Sequence, residues 1–154
     1  MVKRLNEMPE VEAAHLRRLE CPTYDDTPLL PGKPLGARRV AIISTAGLHK
    51  RGDRPFQPGD GSYRVIAAET PADQLVMSHI SVNFDRTGFQ EDWNVVFPLD
   101  RLNELAAEGT IGSVAATHYS FMGAAEPAQM EASARDVAAR LKADRVDAVI
   151  LSPV

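Results

Sequence analysis

The chain has 154 residues, of which 44% are hydrophobic and 25% charged, and its formal net charge is −4 with the four histidines counted as neutral. This is the composition of a soluble domain that is long enough to bury its own core. The scattered basic residues argue against nucleic acid as a partner, because phosphate binding requires a basic stripe. The longest apolar runs are too short to cross a bilayer, so we expect no membrane association.

The N-terminal segment, residues 1–37, is predicted to be a lead-in to the main domain. Residues 7–20 carry the thin apolar stripe of a marginal helix, and residues 21–37 contain four prolines, which indicate an extended connection. The first residues have no apolar signal-peptide core, so we expect a cytoplasmic protein. Cys21 is the single cysteine of the sequence and has no internal partner for a disulfide.

Residues 38–154 are predicted to form one α/β domain. Short β-branched or apolar runs indicate strands at 38–45, 63–67, 75–79, 111–120 and 147–154. Periodic apolar positions indicate helices at 98–107, ended by Gly109, and at 127–143. Thr70 and Pro71 are predicted to open a single helical turn as N-cap and first position, and the segment 45–62 is predicted to be a loop.

The alternation of strands and helices predicts a mainly parallel sheet flanked by helices, of the Rossmann-like (flavodoxin-like) type. The last strand is strongly apolar and is expected to be buried. A buried parallel strand normally leads into a crossover helix. The sequence ends at the carboxyl end of that strand, so we expect the α/β fold to be incomplete at its C-terminus.

Five segments resemble one known family. They are ISTAGLHKRGDRPF (43–56), GDGSYRVI (59–66), SHISVNFDRTGFQEDWNVVFPLDRLNELAAEG (78–109), HYSFMG (118–123) and LKADRVDAVILSPV (141–154). In this order they are similar to the selenoprotein B family of D-proline, glycine, betaine and sarcosine reductases. The likeness covers residues 38–154 and is nearest to the D-proline branch.

The resemblance implies an oxidoreductase that reductively cleaves a carbon–nitrogen bond of a small amino acid or amine. In the family, the strand similar to VDAVILSPV leads into a selenocysteine or cysteine, then two residues, then a cysteine. This chain lacks that nucleophile, so the 154-residue form is expected to be inactive alone. We hypothesise that the product ends at a stop codon that is recoded as selenocysteine. An ordinary truncation or a truly short protein is the alternative.

The resemblance also implies partners. The substrate is expected to be a small amino acid or amine, the reductant a dithiol, and one further subunit a pyruvoyl-containing chain, so a homo- or hetero-oligomer is expected. Cys21 lies outside the matched segments, and a lone cysteine is more often structural or incidental than reactive. No cofactor is therefore expected within this chain; the selenocysteine or cysteine pair belongs to the full-length protein.

Three residues are candidates for supporting catalytic roles. His79 and His118 fall near the ends of predicted strands, where an imidazole can act as acid, base or carboxylate anchor. Both are equally compatible with histidines that are satisfied inside the fold. Asp92 lies in a polar loop that also carries buried-type aromatic residues, and either catalysis or hydrogen bonding within the loop explains it.

Four residues are candidates for binding substrate: His49, Asp85, Asn94 and Arg101. His49 follows the STAGL segment, where Gly47 permits exposed amides that can hold an anion. Asp85 and Asn94 share the loop of Asp92, and Arg101 can pair with Asp100 or with a substrate carboxylate. A metal bound by His49, His79 and His118 is not expected, because their spacings are long and no cysteine joins them.

A second function class stays open from the residues alone. The chain can instead be a non-catalytic module that binds a small carboxylate or assembles with a partner chain that completes the sheet. The reading frame downstream of Val154 distinguishes this module from the reductase subunit. The oligomeric state of the isolated chain also bears on it, because an incomplete sheet exposes an apolar edge that favours association.

Overall fold

The computed structural model of the chain describes residues 4–18, 23, 25, 29–81 and 84–154. It divides into two compact units, Met1–Leu30 and Pro31–Val154. The first unit contains α1 (Glu10–Arg18), which confirms the predicted marginal helix. Cys21 and much of the proline-rich connection lie outside the described residues.

The second unit contains seven strands and three α-helices among its described residues. The strands are β1 (Arg39–Ser44), β2 (Leu48–Lys50), β3 (Arg64–Ala67), β4 (Leu75–Met77), β5 (Ser113–Val114), β6 (Thr117–Ser120) and β7 (Ala148–Ser152). The helices are α2 (Thr87–Glu91), α3 (Leu99–Ala107) and α4 (Pro127–Ala143). The predicted bounds of α4 are confirmed, and those of α3 differ by one residue at its start.

The main sheet is built around β1. This strand pairs in parallel with β5, β6 and β7, and β3 adds to β6 in the antiparallel direction. The pairing with β7 runs from Val40–Ala148 to Ser44–Ser152. The chain is therefore a mixed α/β protein with a mostly parallel sheet, as the alternation of strands and helices predicted.

Side chains of β1 alternate between two apolar clusters, one on each face of the sheet. Val40 and Ile42 pack with Phe97 and with the buried side of α3. Ala41 faces the other way and packs with Tyr119 and the buried side of α4. The two helices thus cover opposite faces of the sheet around β1.

A second, two-stranded sheet has one of its strands, β2, within the segment that was predicted to be a loop. β2 pairs antiparallel with β4, and the ladder continues through the bond from Ser78 N to Gly47 O at 2.9 Å. Gly47 has φ +67°, and a Cβ on it would lie 2.9 Å from the backbone nitrogen of His79. The loop prediction was wrong for residues 48–50 because the glycine-rich neighbourhood masked a strand that tertiary pairing stabilises.

Three further predictions need correction. The strand predicted at 111–120 is divided into β5 and β6 by Ala115 and Ala116. The helical turn after Thr70 is a 3-10 turn over Ala72–Gln74 that Thr70 does not cap. Among the described residues β7 pairs with β1 alone, and Leu151 is 70% exposed, so the last strand is an edge strand in the described part of the chain and not a buried one. An apolar run alone does not tell an edge strand from a central one.

Candidate functional site

A cavity of about 310 Å³ opens where β7 reaches the carboxyl end of the sheet. Its lining residues are His79, Ser81, Phe84, Gly123, Ala124 and Val154. They come from the segment after β4, from the turn between β6 and α4, and from the end of β7. In open α/β sheets the carboxyl ends of parallel strands are where ligands bind, so this cavity is the candidate site.

His79 supplies the polar group of this cavity. Its side chain is buried, and its Nδ1 accepts a hydrogen bond from the backbone N–H of Ser81 at 3.2 Å. An accepting Nδ1 places the proton of the neutral ring on Nε2. Nε2 is buried and has no hydrogen-bond partner among the residues that the structure describes. The backbone of Val154 lies near enough to raise the pKa of the ring as a hydrogen-bond partner, so the site holds an N–H donor that makes no well-formed hydrogen bond among the described residues.

The surroundings of His79 keep this imidazole neutral near pH 7. Burial lowers the pKa of His79, the charge of Arg86 lowers it further, and the backbone of Val154 partly offsets both by raising it. A guanidinium N–H of Arg86 donates to the backbone oxygen of His79, which fixes this cation next to the ring. Phe84 contacts the ring with a centroid distance of 5.1 Å. A neutral donor beside a cation suits an anionic group in the cavity.

His118 lies in the interior of the sheet and outside this cavity. Its Nδ1 accepts the backbone N–H of Ile42 at 2.9 Å, so the ring replaces the ladder hydrogen bond that the break between β5 and β6 removes. Burial lowers the pKa of His118 to about 4, and the charge of Arg39 contributes in the same direction while Asp144 opposes it. These contacts give Nδ1 a structural task, whereas Nε2 is buried and has no partner in the described part of the chain; the catalytic role of His118 stays a prediction.

An ion pair also lies at the break between β5 and β6. Asp144 accepts the backbone N–H of Ala116 at 3.2 Å and pairs with Arg39 at 2.9 Å. Hydrogen bonds from Arg39 hold the pKa of Asp144 below its usual range. His118 thus accepts the backbone N–H of Ile42 on β1, and Asp144 accepts the backbone N–H of Ala116 between β5 and β6.

His49 lies on β2, buried, and is not among the residues that line this cavity. Its Nδ1 is 2.9 Å from the backbone oxygen of Lys50 and must donate to it, which leaves Nε2 as an acceptor. That atom is buried and finds no partner in the described part of the chain. The predicted substrate contact of His49 stays a prediction.

Asp92 and Asn94 lie at a second, open cavity of about 670 Å³. Asn94 donates to Asp92 and to Asp100, each at 2.9 Å, and its side-chain oxygen accepts the backbone N–H of Asp100 at 3.0 Å. Trp93 Nε1 also donates to Asp100 at 2.9 Å. Hydrogen bonds from Asn94 hold the pKa of Asp92 below its usual range.

The second cavity is thus bordered by a closed hydrogen-bond network. Pro98 precedes α3 and provides no side-chain cap, so Asn94 satisfies an N–H at the start of this helix instead. The contacts give Asp92 and Asn94 a structural task, as one of the two interpretations from sequence stated. Their roles in catalysis and binding are untested predictions.

The two remaining predicted residues, Asp85 and Arg101, make their hydrogen bond and ion pair with residues other than His79. Asp85 is exposed, and its carboxylate accepts the backbone N–H of Thr87 at 2.9 Å, at the start of α2. Arg101 pairs with Glu104 at 2.8 Å on the exposed side of α3 and borders the second cavity. Of the seven predicted site residues, only His79 lines the cavity at the end of β7.

Sequence reasoning missed Thr45, Gly123 and Phe84. Thr45 is the last residue of the strand predicted at 38–45, and Gly123 lies three residues after the strand predicted at 111–120. This placement near the carboxyl ends was the available signal. Among the described residues, no group of three or more His, Cys, Asp or Glu side chains is arranged to hold a metal ion. Likewise, none of the helices in the described part of the chain has the length and apolar character needed to cross a membrane.

Fold and site together define an α/β protein with a small cavity at the carboxyl end of its parallel strands, equipped with a buried imidazole donor. Comparison with known proteins makes this more specific. The sequence profile described as Glycine/sarcosine/betaine reductase selenoprotein B (GRDB) matches residues 59–154. The chain belongs to this family.

Curated relatives carry the same assignment. The chain is 33% identical over 123 residues to D-proline reductase subunit gamma of Acetoanaerobium sticklandii, covering 78% of this chain and 50% of that protein. It is 30% identical over 142 residues to glycine reductase complex component B subunit gamma of Carboxydothermus hydrogenoformans, covering 87% and 32%. It is 30% identical over 138 residues to betaine reductase complex component B subunit beta of Peptoclostridium acidaminophilum, covering 79% and 29%.

The chain thus spans about half of the D-proline reductase subunit and about a third of the other two relatives. All three relatives are subunits or components of reductases. No solved structure matches the chain.

Proposed function

We propose that this chain is the N-terminal part of a selenocysteine- or cysteine-dependent amino-acid reductase subunit that cleaves a carbon–nitrogen bond. The cavity at the end of β7 is its reaction site. The observation that carries the proposal is the position of His79: a buried imidazole lines the cavity where Val154 leaves the sheet, and its Nε2 makes no well-formed hydrogen bond in the described part of the chain. Family membership supplies the reaction class, and the greater length of the relatives leaves room for the residues that this chain does not contain.

In the reaction that the family implies, a selenolate or thiolate attacks the carbon that bears the amine, and the amine leaves with the bonding electron pair. The neighbouring cysteine thiolate then attacks the chalcogen, so that the carbon–chalcogen bond breaks and the carbon takes up a proton. A dithiol reduces the resulting selenenyl sulfide or disulfide. The protein must stabilise an anion at the start of this reaction. The Nε2–H of His79 donates a hydrogen bond to that anion or to the carboxylate of the substrate. Arg86, bound to the His79 backbone, adds positive charge at the same place.

The protonation state of His79 then depends on what occupies the cavity. In this chain burial and Arg86 keep the ring neutral. An anion next to Nε2 raises the pKa of the imidazole, because it favours the charged form. The imidazolium forms by protonation of Nδ1, which gives up the hydrogen bond from Ser81, and the ring can then pass its Nε2 proton to the departing amine. Phe84 and Ala124 form part of the lining of this cavity.

The cofactor and partner expectations follow from the same proposal. The nucleophile belongs to the full-length subunit, so we propose that the 154-residue form does not reduce substrate by itself. A pyruvoyl-containing subunit and a dithiol donor are the proposed partners, and a small amino acid or amine is the proposed substrate. We propose that the Rossmann-like arrangement continues in the full-length subunit, where further structure covers the exposed side of β7.

The test is to sequence the gene beyond the codon of Val154 and to express the complete reading frame beside the 154-residue chain. We expect a recodable stop or a cysteine codon next, a second cysteine three positions later, and dithiol-dependent consumption of D-proline, glycine or betaine by the complete product alone. An unrelated codon followed by no such cysteine overturns the proposal. If no such cysteine follows and the 154-residue chain binds D-proline or betaine without reducing it, the function of a small-carboxylate-binding module replaces that of a reductase subunit.

A further inference from the structure

The end of β7 is fastened to the rest of the sheet mainly through one residue, Thr45. Its backbone N–H donates to Ser152 O at 3.1 Å, and its Oγ1 accepts the backbone N–H of Val154 at 2.8 Å. The same hydroxyl lies 3.3 Å from Val154 O and can donate to it. A single side chain thus holds both polar backbone groups of Val154, the residue that borders the cavity.

Thr45 also connects this strand end to the turn after β6. The backbone N–H of Gly123 donates to Thr45 O at 2.8 Å. A Cβ on Gly123 would lie 2.5 Å from Val154 O and 3.0 Å from Thr45 Oγ1. Real Cβ atoms do not approach an oxygen this closely, so a side chain at position 123 must displace the end of β7. A glycine at position 123 therefore leaves the space in which Thr45 and Val154 form their hydrogen bonds.

His79 lies on the other side of the same cavity. The backbone of Val154 is near enough to His79 to affect the protonation of its ring. The backbone of His79 is itself held close to Gly47, two residues beyond Thr45. The segment 45–47 therefore fixes the end of β7 through Thr45 and the imidazole through Gly47, so the distance between them is set by three consecutive residues.

We infer that Thr45 is a positioning residue: together with Gly123, it fixes the end of β7 so that the residue following Val154 enters the cavity next to Nε2 of His79. The inference rests on the proposed function, because the reacting group is placed beyond Val154. Thr45 does not line the cavity and does not touch substrate. It acts through the backbone of Val154, and its hydroxyl is the part that matters.

The first experiment uses the 154-residue chain itself and does not depend on reductase activity. Amide exchange at Val154 and the ring signals of His79 are measured by NMR in the parent, Thr45→Val, Thr45→Ser and Gly123→Ala chains. Thr45→Val should speed exchange at Val154 roughly tenfold, the factor that the loss of one hydrogen bond allows. It should also shift the His79 signals, while Thr45→Ser restores both. Gly123→Ala should disturb the same two residues.

Gly88 provides the matched glycine control, because a Cβ there comes no closer than 3.5 Å to another residue. Gly88→Ala should leave Val154 and His79 unchanged. If Thr45→Val behaves like the parent chain, the inference is overturned. If Thr45→Val instead accelerates exchange throughout β1 and α4, Gly123→Ala decides: a change confined to the cavity supports the inference, and no change there overturns it.

The second experiment uses the complete subunit. Thr45→Val should lower kcat about tenfold, the factor given by one lost hydrogen bond, and leave KM within about threefold. Thr45→Ser should restore kcat. A positioning role is contradicted if Thr45→Val lowers kcat, raises KM and lowers stability together, and if Thr45→Ser restores none of them. If the complete subunit has no reductase activity, the proposed function fails, while the NMR result still shows whether Thr45 holds the end of β7.

Discussion

The cavity at the end of β7 and the second cavity differ in the hydrogen bonds of the polar groups around them. Around the second cavity, Asp92, Asn94 and Asp100 use their polar groups on each other and on the start of α3. At the end of β7, His79 keeps a buried N–H without a partner in the described residues. The number of polar residues therefore does not identify the site. A buried donor that also lines a cavity is the better indication, because Nε2 of His118 is likewise buried without a partner in the described residues but is not among the residues that line either cavity.

His118 extends the comparison to the interior of the sheet, and its pH dependence gives the largest expected effect. Its pKa is about 4 in the folded chain, against 6.5 for an unperturbed histidine. Between these values the unfolded chain binds a proton and the folded chain does not, so stability falls as the pH drops from 6.5 to 4. The loss is about 3 kcal/mol. Urea unfolding of the parent and His118→Asn chains across this range measures it.

Asparagine is the appropriate replacement at position 118, because its side-chain oxygen can accept the Ile42 N–H without titrating. The variant should therefore show a shallower loss of stability between pH 6.5 and 4. His79 and the carboxylates still titrate in both chains. Parallel pH profiles for the two chains contradict the assignment of His118 as a neutral, structural imidazole.

The next effect concerns the open cavity. In the complete subunit, His79→Asn keeps an acceptor for the Ser81 N–H but removes the donor that faces the cavity. We expect kcat to fall roughly 100-fold, at the lower end of acid–base contributions, while the free energy of unfolding changes by less than about 1 kcal/mol. Steady-state kinetics and urea titration give the two numbers. A large stability loss with unchanged kcat would place His79 with His118 among the structural residues.

The closed network gives a smaller effect on a different quantity. Asn94→Ala removes the hydrogen bonds to Asp92 and Asp100 and the substitute cap of α3, so it should cost about 1–2 kcal/mol of stability. Reductase activity should stay at the parent level. Asn103→Ala is the control, because Asn103 is exposed on the same helix, and it should change stability by less than about 0.5 kcal/mol. If Asn94→Ala lowers the reductase activity of the complete subunit together with its stability, this hydrogen-bond network takes part in the reaction.

The smallest effect is expected at Arg101. Its side chain is 59% exposed and its partner Glu104 is 53% exposed. Exposed ion pairs contribute little, so Arg101→Ala should change stability by less than about 0.5 kcal/mol. Because Arg101 borders the second cavity and not the cavity at the end of β7, Arg101→Ala should also leave the KM of the complete subunit unchanged. A tenfold rise in KM would move substrate binding to the second cavity and restore the interpretation of Arg101 as a carboxylate anchor.

The sequence by itself determined the elements whose signals are local. The 3.6-residue apolar period with Pro127 at its start specifies α4, Gly109 ends α3 in a positive φ, and the β-branched run of β1 specifies a central strand. The five ordered segments were also enough to indicate the family. These features depend on neighbours within a few residues, which is the range over which periodicity and capping act.

Only the tertiary structure decided which polar groups remain available. Asn94 and His118 meet partners 6 and 76 positions away in sequence, and Thr45 meets Val154 at a separation of 109. The edge position of β7 and the short strand β2 were decided in the same way, by pairing partners that no local pattern contains. Hydrogen-bond satisfaction is a property of the assembled contacts, so a sequence can propose His79, His118 and Asp92 alike while only the fold separates them.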